Sequence, residues 1–408
     1  MIKSISNKLT YIALLATALH VAGASADELE TPMFSFSGFG TLGVVHSSEN
    51  QADFTSSAFK PNGAGYSHDW SADVDSLIGG QVTVDLSPKL SSVLQVIAEQ
   101  NYDNTYRPHV EWANIKYQVT PDFNVRIGRI VLPVFLVSDF RKVGYANPWA
   151  RTPVEIYGLL PVSNSDGIDT SYRMRIGEFT NTLQGIYGQN EVNLPSGGGT
   201  AKAKDVLGIT YTGEYDAATA HISYLQSNAI VDAYKPLFDG FRQFGAEGIA
   251  LADKYDLSKV HLSVISLGGI YDPGDWFVMG EWCVINSKVV TIQRNAWYAS
   301  GGYRIDKFTP YLTFAHVKTH INSSDPGLAA PAAAALNAGL SAVLESIPSQ
   351  QTISIGGRWD FMTNAALKLQ YDHTRIDTGS NGVLINLQPG FQTGGSFNVF
   401  STSIDFVF

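Results

Sequence analysis

From residue 27 onward the chain has no run of eighteen or more apolar residues. A helix needs about 20 such residues to cross a bilayer, so none of this chain can cross as a helix. What it has instead is a succession of short segments in which apolar and polar positions alternate. Ile78-Gly80-Val82-Val84-Leu86 interleaves with Gly79-Gln81-Thr83-Asp85, and Ala113-Ile115-Tyr117-Val119 with Trp112-Asn114-Lys116-Gln118. The same holds for Trp297–Arg304, Thr352–Trp359 and Ala365–Asp372. Period-two alternation puts the two sets on opposite faces of a strand. One such segment is a weak signal; many in series imply an all-β chain. A soluble sandwich alternates as well. Aromatics near the segment ends (Trp276, Tyr303, Trp359, Tyr371) favour a membrane barrel, whose aromatic girdles sit at the two interfaces. A closed barrel is the only non-helical structure that satisfies every backbone group in lipid.

The N-terminus predicts export. Lys3 and Lys8 precede an apolar stretch from Tyr11 to about Val21, and Ala24-Ser25-Ala26 supplies small residues for cleavage. These are the three parts of a signal peptide, expected over residues 1–26, and the stretch is short for a membrane anchor. The remaining residues, 27–408, are expected to form a single domain. Losing two lysines and no acid takes the net charge from −10 to −12, which excludes the basic footprint of a nucleic-acid binder. Cys283 is the one cysteine, so an exported chain of this kind holds together without disulfides.

Short and long connections alternate along the chain. Short turns are expected at 87–89, 120–122, 176–177, 215–216, 273–274, 306–307 and 362–363. Long or variable connections are expected at about 46–75, 102–108, 131–165, 190–203, 228–258, 287–292, 319–349 and 376–395. Outer-membrane barrels pair short periplasmic turns with longer outer loops, and both termini lie on the periplasmic side, so the strand count is even. Reading Gly245–Tyr255 as a strand gives about 17 and puts the tight turn Asp272–Asp275 on the wrong side; taking 228–258 as one loop gives about 16. Within the loops, the alanine-rich stretch Leu328–Glu345 reads as a short helix or a disordered tip. Ala233–Phe244, with Tyr234, Leu237, Phe238, Phe241 and Phe244, fits a turn or two of amphipathic helix over the barrel mouth.

The terminal residues Phe397–Phe408 put Phe400, Ile404, Phe406 and Phe408 on one face. This resembles the last strand of Gram-negative porins, whose terminal aromatic is read by the barrel assembly machinery. Ser35–Thr41, Arg126–Arg129, Tyr271–Trp282, Phe308–Tyr311 and Ala366–Asp372 are similar to the same family, and the resemblance covers essentially the whole mature chain. It implies a 16-stranded transmembrane antiparallel β-barrel in the outer membrane. It also implies a homotrimer surrounded by outer-membrane lipid, with a third outer loop, here 131–165, folded inward to narrow the pore.

Parity assigns the polar face of each strand to the lumen. Lys116, Arg126, Arg173, Arg175, Arg304, Arg358 and Lys368 then form a basic inner wall, since ionised groups on the lipid face cost about 2–4 kcal/mol at the midplane. The inward loop offers Asp139, Glu155 and, at its end, Asp166, beside Arg141, Lys142 and Arg151. Carboxylates facing a basic wall set up a transverse field that orients dipolar solutes; alternatively the same charges pair and pin the loop. Pro133, Pro148, Pro153 and Pro161 suit a stiff loop outside the sheet. Tyr145, Trp149 and Tyr157 fit loop packing or a path for sugars.

No metal, cofactor or catalytic pattern is found. Histidines are scattered, HExxH, CxxC and GxSxG are absent, Asp73 and Asp75 are too few for a calcium site, and Cys283 reads as a small strand residue. The expected function is passive diffusion of small hydrophilic solutes and ions through a water-filled channel, without enzymatic activity. A substrate-specific channel of the same fold is the alternative, followed by an adhesive barrel with a filled lumen and a hydrolase on a barrel. A plugged transporter would need about 22 strands, more than the mature chain supplies.

Overall fold

The computed structural model describes residues 33–195, 198–256, 260–287, 292–320, 325–345 and 348–408. The expected signal peptide and its junction at Asp27 lie outside them. Sixteen long strands run in order: β1 (Phe34–Ser47), β2 (Leu77–Ser87), β3 (Leu90–Glu99), β4 (His109–Thr120), β5 (Phe123–Val131), β6 (Asn164–Ile176), β7 (Phe179–Asn193) and β8 (Thr200–Tyr215). They continue as β9 (Ala218–Val231), β10 (Val260–Tyr271), β11 (Trp276–Ser287), β12 (Ile292–Tyr303), β13 (Phe308–His320), β14 (Gln350–Met362), β15 (Ala365–Ile376) and β16 (Gly395–Val407). Each pairs antiparallel with its sequence neighbours, and β1 closes on β16 from Phe39 opposite Val407 to Ser47 opposite Val399. Closure leaves no free sheet edge. Turns and loops alternate as expected, and both β1 and β16 have their outer ends at the short-turn end.

The pleat sorts residues as parity requires. Ile127 and Ile355, each 61% exposed, and Leu183, Leu267 and Leu312 point outward. Their neighbours Arg126, Ser354, Gln184, Ser266 and Thr313 point inward. Trp276, Tyr303, Phe308 and Trp359 ring the short-turn end; Tyr371, expected with them, sits farther up the wall near Phe400. The seam where the chain ends meet depends on two glycines. A Cβ on Gly38 would lie 2.2 Å from the Phe408 ring, and one on Gly40 would lie 2.5 Å from the Phe406 ring. The bare backbone lets both terminal rings lie flat on β1, beside one another.

The loops carry helices: α1 (Val154–Tyr157) in the third long loop, α2 (Lys235–Arg242) and α3 (Gly245–Tyr255) in the fifth, and α4 (Ala334–Glu345) in the seventh. Gly245–Tyr255 is thus neither strand nor plain coil: it buries Ala252 and Tyr255 against Phe238 and Phe241 of α2 and Leu340 and Leu344 of α4. Lys254 and Tyr255 both donate to Asp325, at 2.9 and 2.6 Å. Partial burial raises the Asp325 carboxyl, but the bonds from Tyr255 and Lys254 outweigh it and hold it below the ordinary carboxylate range.

Because its folded pKa is depressed, Asp325 strengthens the contact between these helices above its unfolded pKa, about 3.9, and loses that contribution as pH falls through the folded value. Protection against hydrogen exchange in α2, α3 and α4, relative to the intrinsic rate at each pH, is therefore expected to be flat between about pH 5 and 8 and to fall below about pH 4. Asp325→Asn should lower it at neutral pH.

Candidate functional site

A sixteen-stranded barrel encloses more space than wall side chains can fill. Here residues 132–163, between β5 and β6, cross that space, and the wall around β8 to β16 holds them. Thr210 on β8 donates to the Pro133 carbonyl (2.8 Å) and Ser223 on β9 to that of Val134 (2.6 Å). Glu281 on β11 accepts from the Leu136 amide (3.0 Å) and the Tyr157 hydroxyl (2.9 Å). The Trp149 indole donates to Ser300 on β12 and Thr313 on β13, both at 2.9 Å. Glu155 accepts from Gln350 (2.7 Å) and Thr352 (2.5 Å) on β14. Arg358 donates to the Tyr145 and Asn147 carbonyls (2.6 and 3.2 Å).

The densest anchor is Lys368 on β15. Its ammonium is fully buried, pairs with Asp405 on β16 (2.8 Å) and donates to the carbonyls of Gly144, Asn147 and Trp149 at 2.7–2.9 Å. The loop comes so close that a Cβ on Gly144 would sit 2.3 Å from Asp405 Oδ1. Arg151 is also buried. It pairs with Asp75 ahead of β2 (2.8 Å) and Asp372 on β15 (3.5 Å), and it lies over the Phe54 ring. An unpaired buried charge is costly, so each of these groups fixes its partner as well as itself.

The predicted residues therefore divide. Arg358, Lys368, Arg151 and Glu155 are brought together, as anchors of the loop. Arg141 lies over the Tyr157 ring and donates to carbonyls within the loop at 3.3–3.5 Å. Trp149 and Tyr157 are buried packing, edge to face or tilted against Tyr298. Arg126 faces the lumen as a fork on Asp169 of β6, with Nε at 2.9 Å. Lys116, Arg173 and Arg175 share that inner face and make no ion pair or side-chain hydrogen bond among the described residues. Arg173 and Arg175 stand near the turn after Ile176, below the crossing loop. Exposed Asp139 is within electrostatic reach of Arg126 and His221. Arg304 lies past the end of β12, bound to Asp272 of the neighbouring turn (2.6 Å), and so sits at the short-turn rim rather than at the crossing.

Asp166 corrects an expectation. It is the third residue of β6, not part of the inward loop, and its parity turns it outward with Ile168. There it pairs with Arg129 (2.7 Å), at 49% and 37% exposure. Phe400, Ile404, Phe406 and Phe408 form the outward face of β16.

The loop divides the lumen. On the long-loop side a cavity of about 470 Å³ is lined by Lys60, Glu99, His109, Glu111, Arg141 and Lys142, among others. On the short-turn side a cavity of about 640 Å³ is lined by Asp139, Glu214, His221 and Arg304, among others. Asn147 borders both. Lys142 bridges to Glu99 on β3 at 2.5 Å and Ser163 donates to Glu111 on β4, joining the loop also to the wall of β2 to β7. Of the carboxylates that anchor the loop, Asp75 was weighed in the sequence only for calcium and Glu281, Asp372 and Asp405 were given no role there, although these last three share a strand face with residues that parity turns inward. Lys60, His109 and Glu111 carried no periodic signal.

A family model described as Gram-negative porin matches residues 10–380. No curated protein matches significantly in sequence. Among solved structures, the fold is similar to an anion-selective porin from Comamonas acidovorans (13% identity, 92% of this chain and 99% of that one, TM-score 0.54). It is similar also to the outer-membrane channel DcaP of Acinetobacter baumannii (12%, 92% and 97%, TM-score 0.54). The third is the trimer form of OmpT, an outer-membrane protein of Vibrio cholerae (12%, 92% and 99%, TM-score 0.51).

Lys368→Met leaves Asp405 buried without its cation and removes a donor from the carbonyls of Gly144, Asn147 and Trp149. Removing one partner of a buried pair costs about 3–5 kcal/mol. The expected outcome is a folded barrel with a lower unfolding temperature and faster hydrogen exchange at 144–149, with little change at α2 and α3.

Proposed function

The chain belongs to the Gram-negative porin family, whose members form outer-membrane channels for passive diffusion, and from that premise we propose that solutes pass between the crossing loop and the wall of β2 to β7. One observation carries this reading. The loop is bound along β8 to β16, while the opposite wall keeps inward polar groups that the loop does not consume, among them Lys116, Arg173 and Arg175. Arg126 is neutralised by Asp169 on the same wall, so the unpaired cations there are Lys116, Arg173 and Arg175. Uncompensated charge along a pore sets ion preference, so we infer a mild preference for anions. We assign the chain no covalent chemistry, as its family membership and the structural use of Glu155, Glu281 and Tyr157 support. Residues 1–26 are proposed as a cleaved signal, 27–408 as the barrel domain, and the outward β16 face, ending in Phe408, as the assembly signal.

We also infer a homotrimer. The outward pair Arg129–Asp166, next to exposed Ile127 and Ile168 on β5 and β6, is a poor surface to offer lipid. A second copy of the chain covering this face would remove the mismatch.

Two measurements follow. In planar bilayers the protein should give stepwise current in three levels. Lys116→Gln with Arg173→Gln should lower the anion-to-cation permeability ratio by roughly twofold at low salt, where screening is weak; an unchanged ratio would move the selective section elsewhere. Arg129→Ala with Asp166→Ala should change the heat at which trimers dissociate on gels without changing the barrel's own unfolding, and coincident shifts in both would remove this face from the interface.

A further inference from the structure

The cavity on the long-loop side holds an imbalance that the proposed route does not use. Most of its charges are matched: Lys142 with Glu99 (2.5 Å), Arg151 with Asp75 (2.8 Å) and Asp372 (3.5 Å), and Glu191 with Lys202 (3.1 Å). Lys60 and Arg141 are not. Among the described residues neither has a carboxylate within 4 Å. Lys60 Nζ donates to the carbonyls of Asp73 and Val74 (2.8 and 2.9 Å), and Arg141 makes only the long bonds given above. Against these two cations stands Glu111, which accepts from Ser163 and Asn164 and lies 3.8 Å from His109. Between them Lys60 and Arg141 therefore face one carboxylate, Glu111, that is not already held by another cation when His109 is neutral.

Its walls also hold polar atoms without partners. Gln100, 3% exposed, spends its amide nitrogen on Asn62 (2.6 Å) and Asn104 (3.1 Å), and its Oε1 accepts from no described group. His109 Nδ1 is likewise buried and unpartnered. Buried polar atoms of this kind call for a partner. An acceptor such as Gln100 Oε1 is complementary to a hydroxyl. The volume, about 470 Å³, falls within the roughly 300–1,000 Å³ of small-molecule sites.

We propose that this cavity is a capture site for small polyhydroxylated carboxylates: the carboxylate sits on the guanidinium of Arg141 with Lys60 near by, and hydroxyls meet Gln100 Oε1 and His109. The proposal rests on the channel reading and adds to it a solute class held before the crossing. Planar guanidinium suits a carboxylate through paired donors, and the Tyr157 ring beneath Arg141 holds its plane.

Gluconate and glucose are matched in size and hydroxyls and differ in the carboxylate, so they test this directly. With the trimer in a planar bilayer in potassium chloride, gluconate should reduce the ion current saturably, whereas glucose at equal concentration should reduce it only in proportion to bulk conductivity. Arg141→Gln should raise the half-blocking gluconate concentration by roughly tenfold, as expected for loss of a charge-assisted bond. Gln100→Leu should weaken gluconate more than acetate, which has no hydroxyl. Lys89→Gln, exposed in the short turn at 87–89 and outside both cavities, should leave the block within twofold. Should Arg141→Gln fail to fold, Gln100→Leu carries the test. Equal effects of gluconate and glucose, a block linear in concentration, or an unchanged block in both variants would overturn the site while leaving the channel intact. Absence of any current from folded trimer would instead overturn the channel reading.

Discussion

Every backbone N–H and C=O that enters lipid must find its partner within the protein, and the closed β-ladder is how this chain complies. The requirement acts on the ends of the sheet as much as on its middle. The first and last strands must pair, and here they do so over nine residue pairs with the terminal amide and carbonyl of Phe408 bonded to Gly38. Two glycines without Cβ atoms make room for the two terminal phenylalanines. Barrel closure, the outward aromatic face of β16 and the smallness of residues 38 and 40 are thus one constraint seen from three sides.

Once closed, the barrel encloses more volume than its wall can fill, and the crossing loop fills it, packing Phe135, Trp149, Ile156 and Tyr157 on apolar wall residues and pairing its polar groups with the wall. Its backbone carbonyls at 144, 147 and 149 converge on Lys368, and Lys368 would be stranded without Asp405. Arg151 plays the same part between Asp75 and Asp372, and Glu281 between Leu136 and Tyr157. Such networks add little net stability compared with apolar packing, yet they penalise every arrangement that leaves a member unpaired. The loop is therefore specified sharply, with most of its bonds along β8 to β16 and, among the described residues, only Lys142 to Glu99 and Ser163 to Glu111 reaching the wall of β2 to β7.

Much of this was legible from the chain. Period-two alternation, the short-turn series and the even-count argument placed the sixteen strands, and parity alone turned Lys116, Arg126, Arg358 and Lys368 inward. Parity was applied where a strand was recognised. Asp166 was read as loop because the strand signal at Asn164–Gly167 is weak, and so its outward direction was missed. Gly245–Tyr255 offered apolar residues without saying what they would pack on; the answer, α4, lies some eighty residues away. The roles of the lumenal charges were least legible of all. Whether Arg358 faces solutes or holds a loop depends on where the Tyr145 carbonyl comes to rest, which is set by the whole crossing segment rather than by any local pattern.

Of the two readings first open for the lumenal charges, a field across the pore or pins for the loop, the pairing that pins the loop lies mostly along β8 to β16, and the field is what we propose for the opposite wall. Pinning falls on β8 to β16, where charges are buried and matched: Lys368 and Asp405 show no exposed side-chain surface. The wall that remains wet keeps charges without matches, at Lys116, Arg173 and Arg175. This separation has a physical cause. A buried charge must be neutralised where it sits, so it contributes little field at a distance, whereas a charge in water can stay unpaired at small cost and still act on passing ions. Arg126 stands between the two regimes, forked on Asp169 yet 27% exposed. The solute path follows from where the protein can leave charge uncompensated.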